Sequence, residues 1–136
     1  MEPAAMTTPA PAKPLTILLI EDSDTVRSFL HWTIKSVLPD ATIVEAVEGR
    51  QALRELTRCR ADLIISDLQM PNLDGPGLHK ALRKRYAQAL PRVIFVTGNA
   101  GTEDYVPFLA DLRVPVLMKP LKPGRVLELV GRVLET

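Results

Sequence analysis

The chain has little that would tie it to an oxidising compartment, a membrane or a polyanion. Among 136 residues there is one cysteine, Cys59. A lone thiol closes no internal disulfide, and no His or Cys stands at ligand spacing around it, so Cys59 reads as a half-buried side chain in a helical stretch. Net charge is only +1, which gives no overall pull toward nucleic acid or lipid. No apolar stretch approaches the ~20 residues that span a bilayer. The N-terminus lacks the basic-then-apolar order of a signal peptide, so the expected location is the cytoplasm. The two histidines, His31 beside Trp32 and His79, lack ligand-spaced partners and read as structural or surface groups. Internal repeats are absent too, and the basic run of Lys80, Arg83, Lys84 and Arg85 reads as a solvated helix face.

What is present is the make-up of one globular domain: 46% hydrophobic and 24% charged residues, with length enough to bury a full core. Residues 1–14 differ in kind. They are mostly Ala, Pro and Thr, with prolines at 3, 9, 11 and 14, and read as a flexible tail that cannot offset its ordering entropy by burial. The domain expected is residues 15–136.

Within it, apolar runs and amphipathic stretches alternate five times. Strands are predicted at Leu15–Ile20, Ala41–Ala46, Ala61–Ser66, Pro91–Val96 and Val114–Met118. Helical spacing of Val26, Phe29, Leu30, Ile34 and Val37 follows the first, with Ser23 or Asp24 as N-cap. Further helices are predicted over Glu48–Arg58, around Leu78, Ala81 and Leu82, over Thr102–Leu112, and at Val126, Leu129, Val130 and Val133. Pro107 interrupts the fourth, which is therefore expected to be truncated. Continuous apolar strands separated by helices imply an α/β fold: a doubly wound parallel sheet covered on both faces, with ligands beyond the carboxyl ends of the strands.

Four strand ends carry chemistry: Glu21-Asp22, Asp67, Thr97 and Lys119. Side by side they collect three acids, a hydroxyl and an ammonium. Carboxylates so close repel one another and raise each other's pKa unless a cation compensates, and magnesium takes such hard oxygen ligands. A carboxylate can also attack phosphorus to form an acyl phosphate, with Lys119 as a point charge and Thr97 as a donor to the phosphoryl oxygens. Two rivals arise, one sharing this set and one sharing the topology. A phosphatase with an aspartyl nucleophile needs a second acid two residues on, where this chain has Gln69. A flavin module wants a hydroxyl- and glycine-rich loop after the first strand, where Glu21-Asp22-Ser23-Asp24 would repel phosphate.

Over about Leu15–Leu134 the chain resembles the receiver domain of two-component response regulators. The motifs are Leu18-Leu19-Ile20-Glu21-Asp22, the stretch from Asp67 through Met70-Pro71-Asn72-Leu73-Asp74-Gly75, Val96-Thr97-Gly98 and Lys119-Pro120. The resemblance implies five strands in the flavodoxin-like order 2-1-3-4-5. It makes Asp67 the phosphoacceptor of a histidine kinase or phosphotransfer protein, with Thr97 and Lys119 on the phosphoryl group. It also implies Mg2+ held by Asp22, Asp67, the Gln69 backbone carbonyl and, through water, Glu21, and a cis Lys119–Pro120 bond.

Gln69 and Asn99 would tune how long the acyl phosphate lasts. Docking would use the first helix and the loop after the fifth strand. A stand-alone receiver is expected to signal by contact with a downstream protein or to carry phosphate onward, without being a turnover enzyme. A homodimer is left open, and a receiver that binds without being phosphorylated is the alternative. One departure stands out: Val116 occupies the place of the aromatic residue that relays activation in many members.

Overall fold

The computed structural model describes residues 14–86, 91–98, 102–112 and 114–135, without the side chains of 102–104 and 111–112. Residues 1–13, nearly all of the expected tail, and Asn99 lie outside the described set. Five strands, β1 (Thr16–Ile20), β2 (Thr42–Ala46), β3 (Leu63–Asp67), β4 (Arg92–Thr97) and β5 (Val116–Met118), alternate with five helices. The helices are α1 (Asp24–Lys35), α2 (Gly49–Glu55), α3 (Gly75–Arg85), α4 (Thr102–Leu112) and α5 (Pro123–Glu135). All strands are parallel in the order β2-β1-β3-β4-β5, as expected.

The central strands are apolar throughout because both faces are covered. Ile17, Leu19, Leu63, Ile65, Ile94 and Val96 face one core with Leu30 and Ile34 of α1 and the buried stripe of α5. Leu18, Ile20, Ile64, Val93 and Phe95 face the other, with Ala52 of α2 and Leu78 and Leu82 of α3. This two-sided burial forces the period-2 split of each strand between cores. Fully burying one such aliphatic side chain stabilises by roughly 1.5–3 kcal/mol.

Local signals set the helix starts. Ser23 caps α1, its Oγ accepting from the Val26 N–H at 3.3 Å. Asp74 caps α3 by accepting from the Gly77 N–H at 2.9 Å, with Pro76 in the first turn. Gly49 is required by packing: a Cβ there would stand 2.6 Å from the Leu73 carbonyl oxygen. The β3–α3 loop can therefore lie close on the start of α2. Asn72, at φ 71°, turns that loop through the left-handed region that asparagine tolerates.

Three expectations change. The second helix ends at Glu55 rather than Arg58, and Thr57, Arg58 and Cys59 close it through turn bonds back to Arg54 and Glu55. β5 is three residues long because Pro115 has no N–H to donate, although its carbonyl still accepts from the Phe95 N–H at 3.0 Å. The fourth helix is not truncated: it runs eleven residues with Pro107 inside it. An interior proline costs about 3 kcal/mol. Tyr105, Phe108 and Leu109 pack on the second core and offset it, with the Phe108 ring 5.5 Å from Phe95 and 5.9 Å from His79. His79 is buried there, and burial lowers its pKa, which keeps the ring neutral beside the aromatic pair. Cys59 is half-buried, its Sγ directed at the Glu55 carbonyl, and burial pushes the thiol up; both cysteine and histidine readings stand.

Candidate functional site

Strand register delivers the polar ends to one rim. Asp67 is the last residue of β3 and lies opposite Val96 of β4. Thr97 follows Val96 and lies opposite Met118 of β5, so Lys119 is the first residue beyond the sheet. Ile20 pairs with Ser66, one step before Asp67, which sets Glu21 and Asp22 at the same level on the β1 side. The reach of the parallel sheet therefore places four distant segments together.

Carboxylate oxygens of Glu21, Asp22 and Asp67 lie within 4.8 Å of one another. Glu21 is 1% exposed and Asp67 7%, whereas Asp22 faces solvent. The Lys119 Nζ stands 3.2 Å from Glu21 Oε1 and 3.5 Å from Asp67 Oδ2. The contact to Glu21 is close but not a well-directed hydrogen bond, and among the described residues that oxygen has no hydrogen-bond partner although fully buried. Glu21 Oε2 accepts from the Ser23 N–H at 3.1 Å.

Burial raises the pKa of Glu21, and the charge of Asp67 and a side-chain hydrogen bond with Asp22 raise it further against the Ser23 amide and Lys119. Burial likewise raises Asp67; Lys119 and the Gln69 backbone N–H oppose it, and Asp22 adds to it. Burial acts downward on the Lys119 ammonium, yet the pull of Asp67 and Glu21 prevails and leaves it raised. One ammonium does not satisfy this rim. Converging hard oxygens, two desolvated and one orphaned, fit a small divalent cation.

Thr97 is buried, its Oγ1 donating to the Gly98 carbonyl at 3.1 Å, while its own carbonyl accepts from the Lys119 N–H at 2.8 Å. Gln69 is exposed, and its backbone N–H favours the charged form of Asp67. The Lys119–Pro120 bond is cis, as the resemblance implied.

Sequence reasoning passed over Arg27. Its Nη1 donates to the Glu21 carbonyl at 2.8 Å and its Nε to Glu45 Oε1 at 2.7 Å, while Nη2 pairs with Asp24. Glu45 is steadied in turn by His31 Nδ1 at 2.9 Å. Arg27 thus clasps the backbone that carries Glu21 and Asp22. A signal existed: a cation in the first turn of a helix runs against the macrodipole, so its placement there needs a specific partner. One partner, Asp24, stands three residues before Arg27 and is readable from the chain; the other, Glu45 on β2, is eighteen residues away and could not be read.

The sequence model of the response regulator receiver domain matches residues 17–131. The chain is 33% identical over 122 residues to the sensor kinase CckA of Brucella abortus, covering 88% of this chain but 12% of that protein. It is 34% identical over 114 residues to protein-glutamate methylesterase/protein-glutamine glutaminase 4 of Myxococcus xanthus, covering 81% of this chain and 31% of that one. The chain therefore spans a third or less of these curated relatives. Among solved structures, the signal receiver domain of a signal transduction histidine kinase from Syntrophus aciditrophicus superposes with a TM-score of 0.76 at 31% identity, covering 88% of this chain and 89% of that one. Strand order, rim and these matches agree: the chain belongs to the response regulator receiver domain family of two-component signalling.

Proposed function

We propose that residues 15–136 form a receiver that is phosphorylated on Asp67 by the phosphohistidine of a histidine kinase or phosphotransfer protein. An Asp67 carboxylate oxygen attacks phosphorus in line; the P–N bond breaks, its electron pair leaves on the imidazole, and an acyl phosphate forms. Lys119 neutralises one phosphoryl oxygen, and the Thr97 hydroxyl donates to another. Asp22, Asp67, the Gln69 carbonyl and, through water, Glu21 would hold Mg2+, whose charge when bound offsets that of the phosphoryl oxygens. Water later cleaves the acyl phosphate, with Gln69 beside its path. The domain thus promotes its own phosphorylation and dephosphorylation without turning over a substrate.

The observation that carries this reading is the Lys119 ammonium standing between Glu21 and Asp67. Trp32, 68% exposed on α1, supports donor docking there together with the loop after β5. Output is by contact with a downstream protein or by passing phosphate onward, and Val116 on β5 leaves no aromatic side chain to relay it. The reading carries a cytoplasmic location; among the described residues no helix is long and apolar enough to cross a membrane. The test is acetyl phosphate or beryllofluoride with Mg2+ on the protein and its Asp67→Asn variant. Modification of the first alone is expected. No response in either would favour a receiver that binds without phosphorylation.

A further inference from the structure

The net charge of +1 conceals a division. Residues 48–62 and 78–92 hold nine Lys and Arg against three acids, whereas the rest of the chain holds eight against thirteen. The fold merges the two basic segments into one face. α2 and α3 pack side by side over the second core, and Arg85 of α3 donates to the Leu53 carbonyl of α2 at 2.9 Å. All nine basic residues are exposed. Arg58 has Glu55 at 3.7 Å, while Arg50, Arg54, Arg60, Lys80, Arg83 and Lys84 have no acidic partner among the described residues.

We propose that this α2–α3 face is a docking surface for an acidic segment of a partner protein. Cations gathered at this density repel one another, and carboxylates from outside relieve that cost. Seven of the nine are arginines, whose planar fork pairs bidentately with carboxylates. The face lacks what two other polyanions exploit. Tyr86, at the end of α3, is half-buried with its hydroxyl donating to the Leu56 carbonyl at 3.3 Å, and offers single-stranded bases no open ring face. Among the described residues the exposed large hydrophobics Trp32, Val37, Val47, Val106 and Met118 all lie off α2 and α3, leaving no apolar anchor for a bilayer. Duplex nucleic acid meets a further obstacle, since Glu48, Glu55 and Asp62 interrupt the cations and would face phosphates. A protein segment of mixed sequence can answer both signs. The face lies across the sheet from α1 and α5, so a partner bound here leaves α1 open to a phosphoryl donor.

The surface does not depend on phosphorylation, and its test reads binding alone. The isotope-labelled chain is titrated with a short Glu- and Asp-rich peptide, a DNA duplex and phosphatidylserine vesicles, following backbone amide shifts. The peptide is expected to move amides of α2 and α3, and Arg54→Glu/Arg83→Glu/Lys84→Glu to weaken it by at least about tenfold. Arg125→Glu/Arg132→Glu on α5 is expected to change it by less than about twofold. If the triple reversal does not fold, the same three positions changed to Gln give the same readout. Shifts that map elsewhere, an affinity indifferent to the reversal, or tighter binding of the duplex or the vesicles would each overturn the proposal.

Discussion

At the carboxyl edge of the sheet three acids share a rim with one ammonium, and two of those acids are almost wholly removed from water. Along α2, α3 and the segments that follow them, seven arginines and two lysines are gathered, and each of these nine side chains reaches solvent. Like charges are crowded in both places. At the rim, burial turns crowding into raised carboxylate pKa values and an orphaned oxygen, because desolvation disfavours the charged form before any neighbour acts. On the helical face, water and salt screen each charge, and crowding becomes a long-range field instead of a local strain. The rim is suited to chemistry on a compact, highly charged group, and the face to steering and holding a larger partner.

That contrast can be broken. The largest effect is expected from Lys119→Met: loss of the one cation at the rim is expected to cut the rate of Asp67 phosphorylation by acetyl phosphate at least about a hundredfold, since each 1.36 kcal/mol of transition-state stabilisation is tenfold in rate. A second prediction concerns Arg27→Met, which frees the Glu21 carbonyl. Calorimetric titration is expected to show Mg2+ binding weakened by roughly tenfold, as outer positioning groups typically contribute, with Arg27→Lys recovering part of it. An unchanged Mg2+ affinity in Arg27→Met would show that the clasp serves the fold alone.

Asp67→Asn should stabilise the metal-free protein, on the order of 1 kcal/mol in urea denaturation at neutral pH, by removing a buried like charge. The sign with pH follows from the raised pKa values of Glu21 and Asp67. Between the ordinary carboxylate value and the raised folded value, the folded state binds more protons than the unfolded one, so the cost of these groups is present above that window and is relieved as pH falls through it. The advantage of Asp67→Asn should therefore shrink on acidification toward pH ~4; a gap that widened would contradict the burial argument. The smallest effect belongs to the helical face. Arg54→Glu, Arg83→Glu or Lys84→Glu should each shift stability by no more than about 0.5 kcal/mol and leave phosphorylation by acetyl phosphate unchanged.

Much of this was legible in the chain. Periodicity placed all ten elements, and Leu18-Leu19-Ile20 ahead of Glu21-Asp22 marked a buried strand ending in acid because a strand covered on both faces must be apolar throughout. Less legible were features set by non-local packing. The eleven-residue fourth helix survives Pro107 because Phe108 finds Phe95 and His79, residues thirteen and twenty-nine positions away. Arg27 and Glu45 pair between a helix and a neighbouring strand, and nothing in their separate sequence surroundings joins them. The run from Lys80 to Arg85 does form an exposed helix face, but its neighbourhood with Arg50 and Arg54 appears only once α2 and α3 lie together.

By itself the amino-acid sequence determined the alternation of strands and helices, the caps, and which residues end each strand, since these follow from local hydrophobic period and short-range hydrogen bonding. Only the tertiary structure decided how far apart the Lys119 ammonium and the carboxylates of Glu21 and Asp67 stand, how deeply each acid is buried, and that two basic segments fuse into one face. Distance and desolvation belong to the packed molecule, and the energy of a charge depends on both.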